Sequence, residues 1–106
     1  MGRAELQHIR QLRLGIVRMR IFKTKAFTKF QRQENIADEK LVDAVHRAEM
    51  GLVEADLGGG LIKQRIAREG KGKSGGYRTL VAYRKGERSV FLFGFAKSET
   101  CEYRSR

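Results

Sequence analysis

The sequence predicts an α+β domain, and three observations carry that prediction. A short strand-like run, Arg20-Ile21-Phe22-Lys23, comes first. Two segments with apolar residues at helical spacing follow it. Three strand-like runs then come in succession, Leu61–Arg68, 77–84 and 88–95. Strands in succession without intervening helices exclude an alternating βαβ layout.

Taken in order, residues 1–18 read differently from the rest. Leu6, Ile9, Leu12 and Ile16 recur at helical spacing with Arg10, Arg13 and Arg18 between them, and Gly15 weakens the pattern. Two readings of this N-terminal extension stand: translation starts at Met19, or an added helix packs on the core. The domain proper is expected over 19–106. Thr24 is placed to cap a helix reaching about Gln33, with Phe27 and Phe30 on one side. Asp38 is placed to cap a second helix through about Met50, with Leu41, Val45 and Ala48 as its apolar stripe and Gly51 as its stop. Residues 54–60, ending in three glycines, are expected to form a loop. Lys85-Gly86-Glu87 has the composition of a hairpin turn between the last two strands. Residues 96–106 are polar and short.

The chain has 106 residues, enough for one domain with one modest core. Its 23 Lys and Arg stand against 12 Asp and Glu, a net charge of +11, which points to a polyanionic partner such as nucleic acid. The charge is also divided. Residues 35–60 hold six acids and two bases, whereas 61–97 hold ten bases and two acids. The sheet half is therefore the expected polyanion-facing half. A single cysteine, Cys101, excludes an intrachain disulfide and fits a reducing compartment. No apolar run is long enough for a bilayer, so no membrane partner is expected and the expected location is cytoplasmic.

Side chains alternate faces along a strand. On Leu61–Arg68, Ile62 and Ile66 are natural core residues, which puts Lys63 and Arg65 together on the opposite face, roughly 7 Å apart. Cations at that spacing match successive phosphates of a single strand. The residues that follow, 68–78, place Arg68, Lys71, Lys73 and Arg78 among glycines, where backbone amides approach an oxyanion closely. Tyr77 and Tyr83 are candidates for stacking on unpaired bases. Gly72-Lys73-Ser74 imitates the end of a nucleotide-binding phosphate loop. It lacks the required earlier glycine, since position 67 is Ala67, and a strand rather than a helix comes next. No spacing resembles a metal site, neither His8 nor His46 lies in the basic half, and no cofactor is expected. Chemistry here would fall to Lys, Arg and Tyr, with clustered cations stabilising charge that develops on a phosphate.

The run Leu57-Gly58-Gly59-Gly60-Leu61-Ile62-Lys63-Gln64-Arg65-Ile66-Ala67-Arg68 carries a resemblance. So do Gly70-Lys71-Gly72-Lys73-Ser74-Gly75-Gly76-Tyr77-Arg78 and the closing Phe91-Leu92-Phe93-Gly94-Phe95-Ala96-Lys97-Ser98-Glu99. Together they resemble the RelE/HigB toxins of bacterial toxin–antitoxin pairs, in the RelE/ParE superfamily, over about residues 19–103. The resemblance implies a RelE-like fold: an N-terminal strand and a helical hairpin packed on a curved, mainly antiparallel sheet of about four strands. It implies an endoribonuclease that enters the ribosomal A site, cuts messenger RNA there and is restrained by a cognate antitoxin; the absence of a carboxylate cluster beside the basic sheet argues against a metal-dependent one. Carried over by position, Lys63 and Arg65 match the family's basic pair, Arg78 the arginine opening the next strand, and Lys97 the lysine ending the last one. Tyr103 corresponds to its C-terminal tyrosine. These five are the expected catalytic residues, with Arg68, Lys71, Lys73, Tyr77 and Tyr83 as RNA-binding residues.

Two departures from the family pattern matter. Thr100 stands near a position where many relatives carry arginine, and the chain stops at Arg106 where many continue into a helix. They keep an alternative open: a non-catalytic or gyrase-directed inhibitor like the ParE relatives, or an RNA-binding module whose activity has decayed.

Overall fold

The computed structural model describes residues 6–14, 17–68 and 72–96, with side chains over 19–68 and 76–96. Eight elements follow one another: β1 (Leu6–Leu14), β2 (Val17–Thr24), α1 (Lys25–Glu34), α2 (Asp38–Glu49), β3 (Ala55–Gly58), β4 (Leu61–Arg68), β5 (Gly72–Arg84) and β6 (Arg88–Ala96). The strands form one sheet in the order β1-β2-β6-β5-β4-β3. Among the described residues β2 and β6 pair parallel, and every other neighbouring pair is antiparallel. This is the expected α+β architecture, with the four anticipated strands at its centre and one further strand at each edge. Among the described residues no helix is long and apolar enough to cross a membrane.

Both edge strands correct the sequence reading. Residues 6–14 form a strand, not a helix. A register shift between His8 and Arg10 breaks the two-residue alternation, so the apolar spacing imitates a helical period. The outer edge of β2 supplies the backbone partners that decide the matter. In the same way, Ala55–Gly58 pairs with β4 instead of remaining a loop. Gly58, Gly59 and Gly60 all take positive φ, at 89°, 62° and 85°, and so turn the chain tightly into β4. The glycine-lysine stretch is also less of a loop than its composition suggests, because β5 begins at Gly72.

The helices form where the apolar spacing puts them. The Thr24 hydroxyl accepts from the Phe27 amide at 3.0 Å, capping α1. The same hydroxyl donates to the Leu92 carbonyl at 2.8 Å, which ties the start of the helix to β6. Asp38 is not a cap; the capping position is Ala37, without a side-chain bond. The Asp38 carboxylate instead accepts from Gln31 at 2.7 Å and from Lys23 at 3.3 Å. The Lys23 ammonium, buried under the helices, also donates to Gln31 at 2.8 Å. A buried cation on β2 is thereby satisfied by both helices.

The core lies between the helical pair and one face of the sheet. Met19, Ile21, Phe27, Leu41, Ile66 and Phe91 are fully buried there, with the rings of Phe27 and Phe91 5.2 Å apart. Gln64 sits among these apolar residues. Its amide donates to the carbonyls of Ala44 and Leu52, which satisfies it. On β4 the buried positions are Ile62, Gln64 and Ile66, so Leu61, Lys63 and Arg65 belong to the opposite, open face.

Candidate nucleic-acid interface

The registers of β2, β6, β5 and β4 arrange the open face in rows across the sheet. Arg20, Arg88 and Arg84 are neighbours at one end. Phe22, Val90, Ala82 and Leu61 form the next row. Phe93, Leu80 and Lys63 follow, and Phe95, Arg78 and Arg65 form the last. The face thus carries cations at both ends and apolar side chains between them.

The Arg65–Arg78 end holds all three expected catalytic residues that fall within the described side chains. Arg65 and Arg78 are direct cross-strand partners, and Lys63 stands two residues from Arg65 on the same strand. Like charges placed directly opposite repel, so the fold gains nothing from this pair by itself. Arg78 has a counter-charge: its Nε lies 2.6 Å from a carboxylate oxygen of Glu54, just before β3. Glu54 is held in place by its own backbone amide, which donates to the Lys63 carbonyl at 3.1 Å. The Arg78 side chain is only 8% exposed. Nothing in the sequence singles out Glu54, which reads there as one acid of a solvated loop. Its role depends on β3 forming, and that depends on the free edge of β4.

Other expected residues fall elsewhere. Tyr77 and Tyr83 lie on the helix-facing side of β5. The Tyr77 hydroxyl donates to Glu34 at 2.9 Å, and its ring meets Phe30 edge-on at 5.5 Å. The Tyr83 hydroxyl donates to Glu49. Burial pushes both phenols above their ordinary pKa, and the neighbouring glutamate adds to the effect. They are neutral donors that fasten the helices to the sheet, and the structure does not bring them to the face of Lys63 and Arg65. Arg68 stays near Tyr77, with its guanidinium 5.3 Å from that ring centre. Among the described residues, the aromatic side chain that does stand exposed on the open face is Phe93, at 56%. The expected residues Lys71, Lys97 and Tyr103, with Thr100, lie outside the described residues, and so does the side chain of Lys73.

This arrangement can bind and polarise a phosphodiester. Two guanidiniums and an ammonium stand on a face rimmed by strands, and a carboxylate fixes one guanidinium. A family model described as the RelE toxin of the RelE/RelB toxin–antitoxin system matches residues 19–106. No curated protein matches the chain.

Proposed function

We propose, from the premise that this chain belongs to the RelE toxin family and so is the toxin of a toxin–antitoxin pair with a cognate antitoxin, that it is an endoribonuclease cutting messenger RNA on the ribosome in the cytoplasm. The observation that carries the reading is the Arg65–Arg78 pair with Lys63 beside it on the open sheet face. In the reaction a ribose 2′-hydroxyl loses its proton and attacks the adjacent phosphorus. The bond from phosphorus to the 5′-oxygen breaks and that oxygen takes up a proton from water, balancing the one the 2′-hydroxyl gave up to water, which leaves a 2′,3′-cyclic phosphate and a 5′-hydroxyl. The phosphoryl oxygens gain negative charge on the way, and cations fixed beforehand stabilise it more than they stabilise the ground state. Lys63, Arg65 and Arg78 take that role, with Glu54 orienting Arg78. Lys97 and Tyr103 complete the catalytic set by position in the family pattern, and Arg68, Lys71 and Lys73 are assigned to RNA binding by the same pattern.

The test is cell-free translation with wild type and Arg78→Ala, followed by primer extension on the messenger. Wild type is expected to stop synthesis and to create new 5′ ends within the reading frame. Arg78→Ala is expected to cleave about 10²-fold to 10³-fold more slowly, the usual loss for one fixed donor to a developing oxyanion. Untouched translation with wild-type protein overturns the nuclease reading.

A further inference from the structure

The opposite end of the open face has no part in that chemistry. Arg20, Arg88 and Arg84 lie there in one register row on three adjacent strands, roughly 4.8 Å apart from strand to strand. All three are exposed. They border a cavity of about 450 Å³ whose floor includes Phe22, Val90 and Ala82, the next row of the same face. The Arg20 guanidinium lies 5.9 Å from the centre of the Phe22 ring, which holds the cation over the floor. Among the described residues, the acid that pairs with this row is Glu87, 3.5 Å from Arg84, and both partners are well exposed, so that pairing yields easily to another anion. Cations facing one another across strands oppose folding. The row therefore weakens the fold, and the shape it borders suits a flat apolar ring joined to an anion.

We infer that this cavity is a second RNA subsite, which takes a nucleotide of the same strand that the Lys63–Arg65–Arg78 end binds. The inference rests on the RNA reading of that end. Arg84 and Arg78 are six residues apart on one strand, roughly 20 Å by strand rise, a span that several nucleotides of extended single strand cover. Phe93 stands exposed between the two ends, where a base can stack on it. The subsite holds the substrate without touching the reacting atoms, so Arg20, Arg84 and Arg88 are binding residues and set the length of RNA the toxin requires.

The experiment measures binding of uncleavable 2′-O-methyl RNA by fluorescence anisotropy across a salt series, with a dinucleotide and an octanucleotide. The proteins are wild type, Lys63→Ala/Arg65→Ala and Arg84→Ala/Arg88→Ala. The last variant is expected to bind the octanucleotide about tenfold more weakly, with the salt slope shallower by about 0.7 for each phosphate it no longer neutralises. It is expected to bind the dinucleotide as wild type does, with an unchanged or higher Tm. Arg88→Lys, which keeps the charge, is expected to retain most of the slope. If Lys63→Ala/Arg65→Ala weakens binding and Arg84→Ala/Arg88→Ala does not, the second subsite is overturned and the RNA reading stands. If neither variant changes binding, both fall. If Arg84→Ala/Arg88→Ala loses only the cognate antitoxin, the row is a protein-docking surface and the inference is overturned.

Discussion

Arg78 is held between two demands. In the proposed reaction its charge must be available to a phosphate, yet its side chain is almost buried and bonded to Glu54. The carboxylate gives the guanidinium a counter-charge beside Arg65, in addition to its bond to the Tyr77 carbonyl, while offsetting part of the charge that a substrate would meet. Glu54→Ala is expected to cost about 1–3 kcal/mol of stability, since it leaves a buried donor unsatisfied, and Glu54→Gln less. Because the two residues act as a unit, a cycle of Glu54→Ala and Arg78→Ala on cleavage rate should show coupling of at least about 0.5 kcal/mol; strict additivity would remove Glu54 from the site. The tyrosines give a separate residue-scale prediction. Both phenols have folded-state pKa values above their unfolded value. The folded state therefore holds these protons more tightly than the unfolded chain. That contribution is complete below about pH 10 and is lost as pH rises through the folded values. Denaturant midpoints should be insensitive to these groups near neutrality and fall in strong alkali, and Tyr83→Phe should flatten part of that fall.

At the scale of elements, the packing of α1 on β6 turns on a missing side chain. A Cβ at Gly94 would come within 2.4 Å of the Phe30 ring, which Phe27 and Tyr77 already confine. Gly94→Ala is therefore expected to cost about 1–3 kcal/mol by overpacking, measured by urea unfolding. Thr24→Ala should cost about 1 kcal/mol through the lost cap, and it also removes the bond to Leu92. The helices were legible in the sequence because their apolar spacing and the Thr24 cap are local signals. Asp38 misled because it has two competing partners, Lys23 and Gln31, that only the folded chain brings near. β1 and β3 were not legible for a related reason. Each is held by backbone pairing to a strand edge, which has no side-chain pattern, and each carries a register shift that spoils the alternation.

For the whole molecule, residues 25–49, which hold both helices, carry five bases and five acids, so the excess positive charge of the chain lies outside the helical layer. Charges more than about 10 Å apart are largely screened at 0.1 M salt. Asp43→Lys on the exposed side of α2 should therefore leave oligonucleotide binding unchanged at that salt, although it raises the net charge; a clear gain would mean that bulk charge, not the sheet face, drives binding. Of the candidate site, Lys63 and Arg65 were legible because a two-residue period assigns them a face once Ile62 and Ile66 are assigned to the core. The opposed placement of Tyr77 and Tyr83 follows from the same period, anchored to β4 only by a register that no local signal gives. The parallel pairing of β2 with β6 has a consequence for synthesis. β2 emerges early, and β6, the strand that lies between it and β5, emerges after every other described strand. A nascent chain halted at Glu87 has both helices and β4 and β5, yet lacks Phe91 and the middle of its sheet. Such a chain should remain open to protease, whereas one that also carries β6 outside the ribosome should not, so the described sheet closes only once its middle strand has been made.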